Sequence, residues 1–324
     1  MDQLNQLRNF YEKYATNHKF TKAPKGLYEP VDYILNIGGK RLRPLMLLMT
    51  AKLFTDDLEK ALAPAYAIEI FHNFTLVHDD IMDAAPLRRG KTTVHHKWNV
   101  NTGILSGDVM LVQAYEYLRQ VDTTILSEVI RIFNEVAIGV CEGQQYDVDF
   151  ETMDRVTIPQ YIKMIELKTS VLVAGAMRIG ALVGGANEED AYNLGEFGRN
   201  IGIAFQLQDD ILDTYGDPEK FGKKVGGDIA QNKKTFLVLK SLELAHPEVA
   251  ARLKDLLSMH PEDEAGKIRE VTAIFDYLDI RNHANQKKEE YLNLAYKHLK
   301  AVNISEDKKQ LLYDFAQFLI HREV

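Results

Sequence analysis

Two near-identical acidic stretches constrain this chain more than any other feature in it. Asp79-Asp80-Ile81-Met82-Asp83 recurs 130 positions later as Asp209-Asp210-Ile211-Leu212-Asp213. Each copy lies in a long apolar segment, where a carboxylate is costly unless it is paired or bound by a cation. On a helix the three aspartates of each copy point within roughly 100° of one another. At about 5 Å, each close pair of such charges repels by roughly 3 kcal/mol at an effective dielectric near 20. A fold that uses both copies needs long helices to carry them and cations to neutralise them. One Asp-Asp-x-x-Asp alone reads as a solvated face or a helix cap, but two copies with apolar flanks do not. Hard oxygen donors favour Mg²⁺, which takes one or two carboxylates and fills its shell with phosphate oxygens and water.

The rest of the chain agrees with helices. Leu111, Ala114, Tyr115 and Leu118 fall at i, i+3, i+4 and i+7, as do Leu292, Ala295, Tyr296 and Leu299. Pro44 and Pro159 stand where helices begin, and Pro86 where the first acidic helix stops. Alternating strands with Asn-Gly or Asp-Gly turns are missing. The glycines between 175 and 185 fit close helix packing, and neither a G-x-G-x-x-G run nor a P-loop is present. The expected fold is all-α, a large helical bundle over residues 1–324 as a single domain, with a central cavity between facing helices.

Composition narrows the function classes. With 46% apolar residues among 324, the chain can bury a large core, and no Pro/Gly/Ser-rich linker divides it. A net charge of −8 argues against nucleic acid as a partner. The one cysteine, Cys141, excludes an internal disulfide and is expected to be a small buried hydrophobe. No signal peptide and no apolar run of 18 residues is expected, so no membrane span is, and the chain reads as cytoplasmic. The run Lys287-Lys288-Glu289-Glu290 reads as a solvated face. Adjacent His95 and His96 should diverge on a helix and hold no metal.

Basic residues cluster where phosphate needs them. Gly38-Gly39-Lys40-Arg41-Leu42-Arg43-Pro44 sets three cations beside a glycine turn and a helix start, a natural anion site. Arg88-Arg89-Gly90-Lys91 follows the first acidic motif, and Lys223, Lys224, Lys233 and Lys234 follow the second. Any one cluster alone is a surface patch. Repeated beside carboxylates in an acidic protein, they describe a diphosphate site bridged by Mg²⁺. Helix geometry adds that Gln206 projects into the arc of Asp209, Asp210 and Asp213, and that His72 shares a face with Asp79.

In this order the pieces resemble the trans-isoprenyl diphosphate synthases, the farnesyl and geranylgeranyl diphosphate synthases in particular. They are the Gly38–Pro44 run, His72 before His78-Asp79-Asp80, Leu87-Arg88-Arg89-Gly90, Gly107-Asp108, Gly143-Gln144, Lys168-Thr169, Phe205-Gln206 leading into Asp209-Asp210, Gly222-Lys223, Gly227-Asp228, and Lys233 before Thr235. The last 85 or so residues add no motif.

The resemblance implies head-to-tail prenyl transfer. An allylic diphosphate would bind through three Mg²⁺ ions held by Asp79, Asp80, Asp83, Asp209, Asp210 and Asp213, with Arg88, Lys168, Gln206, Lys223 and Lys233 on the substrate. Isopentenyl diphosphate would be held by Lys40, Arg41, His72 and Arg89. Lys168, Thr169, Gln206 and Lys233 would act at the allylic centre. A homodimer is implied as well. Metals and cations would stabilise the leaving diphosphate, and an apolar cavity would shield a carbocation from water.

For product length, the resemblance points to the residues before the first motif: Phe71, Phe74 and Thr75. A phenylalanine five positions before Asp79 fits a short product, C15 or C20. The absence of two extra residues inside the motif, and Thr75 in place of an aromatic, lean towards C20. An ideal helix turns Phe74 about 140° from Asp79, so core packing remains open for both phenylalanines. Two rival readings are a class I terpene cyclase and a non-catalytic partner subunit of a synthase. A full second aspartate triplet and the Lys40-Arg41 and Arg88-Arg89 pairs oppose the first, and two intact motifs oppose the second.

Overall fold

The computed structural model describes residues 2–217, 225–259 and 263–320. In chain order its helices are α1 (Asp2–Asn17), α2 (Lys25–Asn36), α3 (Leu42–Lys52), α4 (Glu59–Met82), α5 (Val94–Lys97), α6 (Val100–Leu118), α7 (Thr123–Thr152) and α8 (Ile158–Ile165). One π-helical turn, Glu166–Ser170, joins α8 to α9 (Val171–Gly184), and α10 (Glu188–Tyr215) follows. Then come α11 (Gly227–Ala230), α12 (Phe236–Leu244), α13 (Pro247–Ser258), α14 (Glu264–Tyr277), α15 (Ile280–Ala301) and α16 (Glu306–Ile320). The all-α expectation holds. A two-stranded hairpin, β1 (Leu87–Arg88) with β2 (Lys91–Thr92), is the sheet among the described residues. Its turn is Arg89-Gly90, both at positive φ (52° and 73°), the backbone that a tight two-residue hairpin requires. A search for Asn-Gly or Asp-Gly misses it.

The chain divides into two compact units, Met1–Glu135 with Gly175–Gly195, and Val136–Ala174 with Glu196–Val324. In the first, α4 packs on α3 and α6, and Leu45, Leu47, Ile68, Phe71 and Phe133 are fully buried. The glycines of α9 act as expected. A Cβ on Gly180 or Gly184 would collide with the carbonyl oxygens of Leu47 or Ala51, so small residues there let α9 lie against α3. In the second unit the core gathers Leu207 and Ile211 of α10 with Phe236, Leu253, Val271 and Phe275. Ala114 and Leu118, and Leu292, Ala295 and Leu299, are buried as their periodicity predicts. Pro159 sits in the first turn of α8, behind a Thr157–Gln160 capping box.

Four expectations are corrected. Cys141 is exposed, because its position on α7 turns it away from the core. Lys288 is buried at 7% exposure, its ammonium bonded to Gln208 Oε1 (2.8 Å) and Asn285 Oδ1 (3.0 Å), so the charge run is not a solvated face throughout. The helical run Ile158–Gly184 contains an 18-residue window of mean hydropathy 1.4, long and apolar enough to cross a membrane, yet 83% of that window is buried inside the protein. A core helix accounts for it. The His95 and His96 rings do not diverge fully; their centroids lie 4.6 Å apart.

Candidate functional site

In the first unit, the fold brings two basic motifs, about fifty residues apart in sequence, onto one another. Gly38 and Gly39 adopt φ of 102° and 138°, and Arg41 caps α3 in a left-handed conformation. The Arg89 guanidinium lies against this turn and donates to the Gly38 carbonyl oxygen. A Cβ on Gly39 would displace that guanidinium, and its φ of 138° is one that favours glycine. The hairpin that carries Arg89 is fixed at its base, where Thr93 Oγ1 donates to Ala85 O at 2.7 Å. The end of α4 is fixed too: Ala84 takes φ 49°, and Ala85 N reaches back to Asp80 O at 2.9 Å.

Asp80 is 1% exposed, and Arg88 satisfies it. Arg88 Nε donates to both carboxylate oxygens at 2.9 Å, and Nη2 lies 2.7 Å from Oδ1. The expected ligand and the expected diphosphate-binding arginine are thus paired with each other. Asp83 ends the helix and is exposed. His78 Nε2 lies 3.2 Å from Ile104 O, and its ring fills the space where a Cβ of Gly107 would stand, which explains the Gly107-Asp108 fragment structurally.

The structure separates the two arginines of the Gly38–Pro44 run. Arg41 pairs with the buried Glu69 at 2.6 Å and donates to Leu35 O. Arg43 instead donates from Nη1 to His72 Nε2 at 3.1 Å. An arginine can only donate, so Nε2 is the unprotonated nitrogen of a neutral imidazole. Burial, then the nearby Arg43, Arg89, Arg88 and Arg41 charges, hold the His72 pKa well below its usual value. Arg43 is the residue that sequence reasoning passed over, since spacing alone does not separate it from Arg41.

In the second unit, Asp210 is 4% exposed on α10. Its Oδ2 accepts from the Tyr161 hydroxyl and, at 3.3 Å, from Phe236 N. Burial pushes the Asp210 carboxyl up to about 7 and outweighs these bonds and one from Gln206, while Asp228 raises it further. Gln206 thus hydrogen-bonds Asp210, one member of the triplet. Asp213 Oδ2 accepts from Asp228 N at 2.9 Å, and Lys233 Nζ lies 3.2 Å from Asp228 Oδ1. Lys234 is structural: its ammonium caps α7 by donating to Phe150 O and Met153 O. Lys223 lies outside the described residues.

Lys168 and Thr169 sit in the π-helical turn, a distortion that accumulates at functional sites. A Cβ on Gly143 of α7 would meet the Lys168 backbone nitrogen, and one on Gly202 of α10 would meet Ser170. These glycines cradle the turn. Lys168 Nζ donates to Asp147 Oδ2 at 2.5 Å. Asp147 and Tyr161 are further residues that the sequence reading missed.

The chain-length candidates form an aromatic cluster. Phe71 is fully buried against Phe133 (ring centroids 5.1 Å apart) and Phe74 (5.5 Å). Phe74 is half-buried, edge-on to His78 at 4.8 Å. Thr75 turns its hydroxyl to His72 O at 2.8 Å.

Among the described residues no three His, Cys, Asp or Glu side chains form a ready-made metal cluster. The donor chemistry still fits Mg²⁺. Its oxygens are hard, and Asp210 is a buried carboxyl whose nearest donors are neutral, so a cation would relieve it.

Comparison with known proteins places the chain. Residues 24–275 match the family model for polyprenyl synthetase. A crystal structure of geranylgeranyl pyrophosphate synthase is 45% identical, with TM-score 0.95 over 100% of both chains. Geranylfarnesyl diphosphate synthase of Natronomonas pharaonis is 35% identical over 93% of this chain and 91% of its own. A polyprenyl synthase from Caulobacter crescentus, solved with calcium and isoprenyl diphosphate, is 26% identical, with TM-score 0.87 over 100% of this chain and 98% of its own. The chain therefore belongs to the polyprenyl synthetase family and is a prenyltransferase.

Proposed function

We propose that this prenyltransferase condenses isopentenyl diphosphate with an allylic diphosphate, head to tail, to give geranylgeranyl diphosphate and diphosphate. The observation that carries this reading is the meeting of the Arg88-Arg89 hairpin with both Asp80 and the Gly38-Gly39 turn. It sets an anion-binding surface beside a carboxylate motif. Lys40, His72 and Arg89 hold isopentenyl diphosphate. Arg43 joins them, because Arg41 is committed to Glu69.

Asp79, Asp80 and Asp83 in the first unit, and Asp209, Asp210 and Asp213 in the second, would hold Mg²⁺, three ions by family resemblance. When bound, Mg²⁺ supplies positive charge to a departing diphosphate. Arg88, Lys168, Lys223 and Lys233 add donors to that group, and the fixed dipoles of Thr169 and Gln206 favour positive charge on the allylic carbon. As the allylic C–O bond breaks, the double bond of isopentenyl diphosphate attacks, and a proton leaves to the released diphosphate.

C20 is the product proposed. It agrees with the relative named for geranylgeranyl diphosphate, while the geranylfarnesyl relative marks C25 as the alternative to exclude. The family match across both units supports reading them as one polyprenyl synthetase domain. We also propose a cytoplasmic homodimer. The exposed apolar Val100, Ile104, Leu105 and Val112 on α6 support a self-association face.

The test is to incubate the protein with isopentenyl diphosphate and each allylic primer, in Mg²⁺ and in excess EDTA, and measure products by mass spectrometry. C20 in Mg²⁺ and none in EDTA is expected. Full turnover in EDTA would sink the metal assignment, and a cyclised hydrocarbon would favour the cyclase reading.

A further inference from the structure

We propose that the first unit carries a second ligand pocket, suited to an amphiphilic anion: an apolar chain or ring bearing a phosphate or diphosphate head. A cavity of about 820 Å³ lies beside α2 and α5, and no aspartate of the two acidic motifs lines it. That volume suits a ligand of drug or lipid-tail size. Its apolar lining comes from Phe20, Tyr33, Ile37 and Trp98. Lys22, Lys25, Lys91 and Lys97 line it as well, against two acids, Glu29 and Asp32. Asp32 is already engaged, accepting from Phe20 N at 2.9 Å. The local sign is therefore opposite to the net charge of −8, and local potential selects the ligand's sign.

All four lysines are exposed, and two of them rest on aromatic rings. Lys97 Nζ stands 3.8 Å over the Tyr33 ring and 4.8 Å over that of Trp98. Lys22 Nζ stands 4.8 Å over Tyr28. Tyr28 lies outside the lining, whereas Tyr33 and Trp98 belong to it. Lys97 therefore sets a cation directly beside the apolar wall, and a ligand with a charged head and an apolar tail can meet both. Inorganic phosphate would leave the aromatic lining unused, and a neutral lipid would leave the lysines unused.

The pocket is wired to the anion-binding turn. The Tyr33 hydroxyl donates to Thr92 O at 2.7 Å, at the end of the hairpin that carries Arg88 and Arg89. Ile37 directly precedes Gly38, which accepts from Arg89. Choosing a prenyl diphosphate as the natural occupant rests on the proposed synthase reading, since that reaction makes such a molecule. Occupancy would then alter the KM for isopentenyl diphosphate.

The chain has one tryptophan, Trp98, and it lines this pocket. Its fluorescence is therefore a local reporter. The full chain in EDTA is titrated with geranylgeranyl diphosphate, geranylgeraniol and inorganic diphosphate. We expect a saturable change with the first, with the other two at least about tenfold weaker, and loss of about tenfold in affinity for Lys22→Ala/Lys97→Ala. No change, an equal response to either half-molecule, or unaltered affinity in the double variant overturns the pocket. If that variant fails to fold by circular dichroism, Lys25→Gln/Lys91→Gln makes the same test. Product formation in Mg²⁺ is measured separately, so the synthase reading and the pocket can fail independently.

Discussion

Arg43 donates to Nε2 of His72 at 3.1 Å, while Arg41, two residues earlier, is spent on the buried Glu69. The two arginines therefore do different work. Arg43→Ala should keep the fold and raise the KM for isopentenyl diphosphate by about tenfold or more, because a charged donor to a diphosphate is worth roughly 1.5–3 kcal/mol. Arg41→Ala should lower stability by about 3–5 kcal/mol by leaving Glu69 buried and unpaired. Steady-state kinetics and chemical denaturation of both variants check this. A stable Arg41→Ala with the larger KM defect would reverse the assignment.

Tyr161 holds Asp210 from a different helix. Burial, then the Asp210 charge, keep the Tyr161 phenol protonated, so it remains a donor. Tyr161→Phe removes that bond with little change of shape. The expected result is about tenfold weaker Mg²⁺ activation, with the isopentenyl diphosphate KM unchanged. Calorimetric Mg²⁺ binding in the presence of diphosphate gives a readout independent of turnover. Unchanged Mg²⁺ affinity would leave Tyr161 a packing residue only.

The Asp210 carboxyl makes a stability prediction with a definite sign. Its folded value of about 7 lies above the ordinary 3.8, so between these the folded protein keeps a proton that the unfolded chain has released. Its contribution to stability is therefore lost as pH rises through this window. Carrying a buried carboxyl from 3.8 to about 7 costs the ionised folded state about 4 kcal/mol at most. Asp210→Asn should raise the Tm of the metal-free protein at pH 8, with a smaller gain at pH 5, while it abolishes prenyl transfer. Calorimetric scans in EDTA at the two values check the sign.

Both aspartate triplets and the basic clusters are legible in the sequence because their chemistry is local: residue type plus a spacing of three or four. The helices are legible because apolar periodicity runs through Leu111 to Leu118 and Leu292 to Leu299. Other features depend on partners distant in sequence. Nothing near Tyr161 announces Asp210, and nothing in Lys168-Thr169 announces a π-turn, because Gly143 and Gly202 shape it from other helices. Lys288 reads as a surface charge until Gln208 and Asn285 are seen to receive it. Positive φ at Arg89 is equally invisible, since only the following glycine hints at a turn.

Gly143 is the sharpest test of the π-turn. A Cβ there meets the Lys168 backbone nitrogen, and backbone cannot rotate away as a side chain can. Gly143→Ala should cost about 1–3 kcal/mol of stability by overpacking. It should also lower kcat by displacing Lys168 and Thr169. Gly139, one turn earlier, allows ordinary contact with Leu167 and Val171 at 3.4 Å, so Gly139→Ala should be mild in both respects. Equal effects would mean that the turn's register is indifferent to Gly143.

Product length separates Phe71 from Phe74. Phe71 has no exposed surface and is wedged between Phe74 and Phe133, so Phe71→Ala should cost about 3–5 kcal/mol and report on packing rather than specificity. Phe74 is only half-buried, with its ring edge-on to His78, the residue just before Asp79. Its truncation opens space one turn from the first aspartate motif at a lower folding cost. Phe74→Ala should therefore shift the product by at least one five-carbon unit, read by mass spectrometry with saturating isopentenyl diphosphate. If Phe74→Ala keeps the parental product while Phe71→Ala lengthens it, the floor of the cavity is the buried ring, and the half-buried one is a bystander.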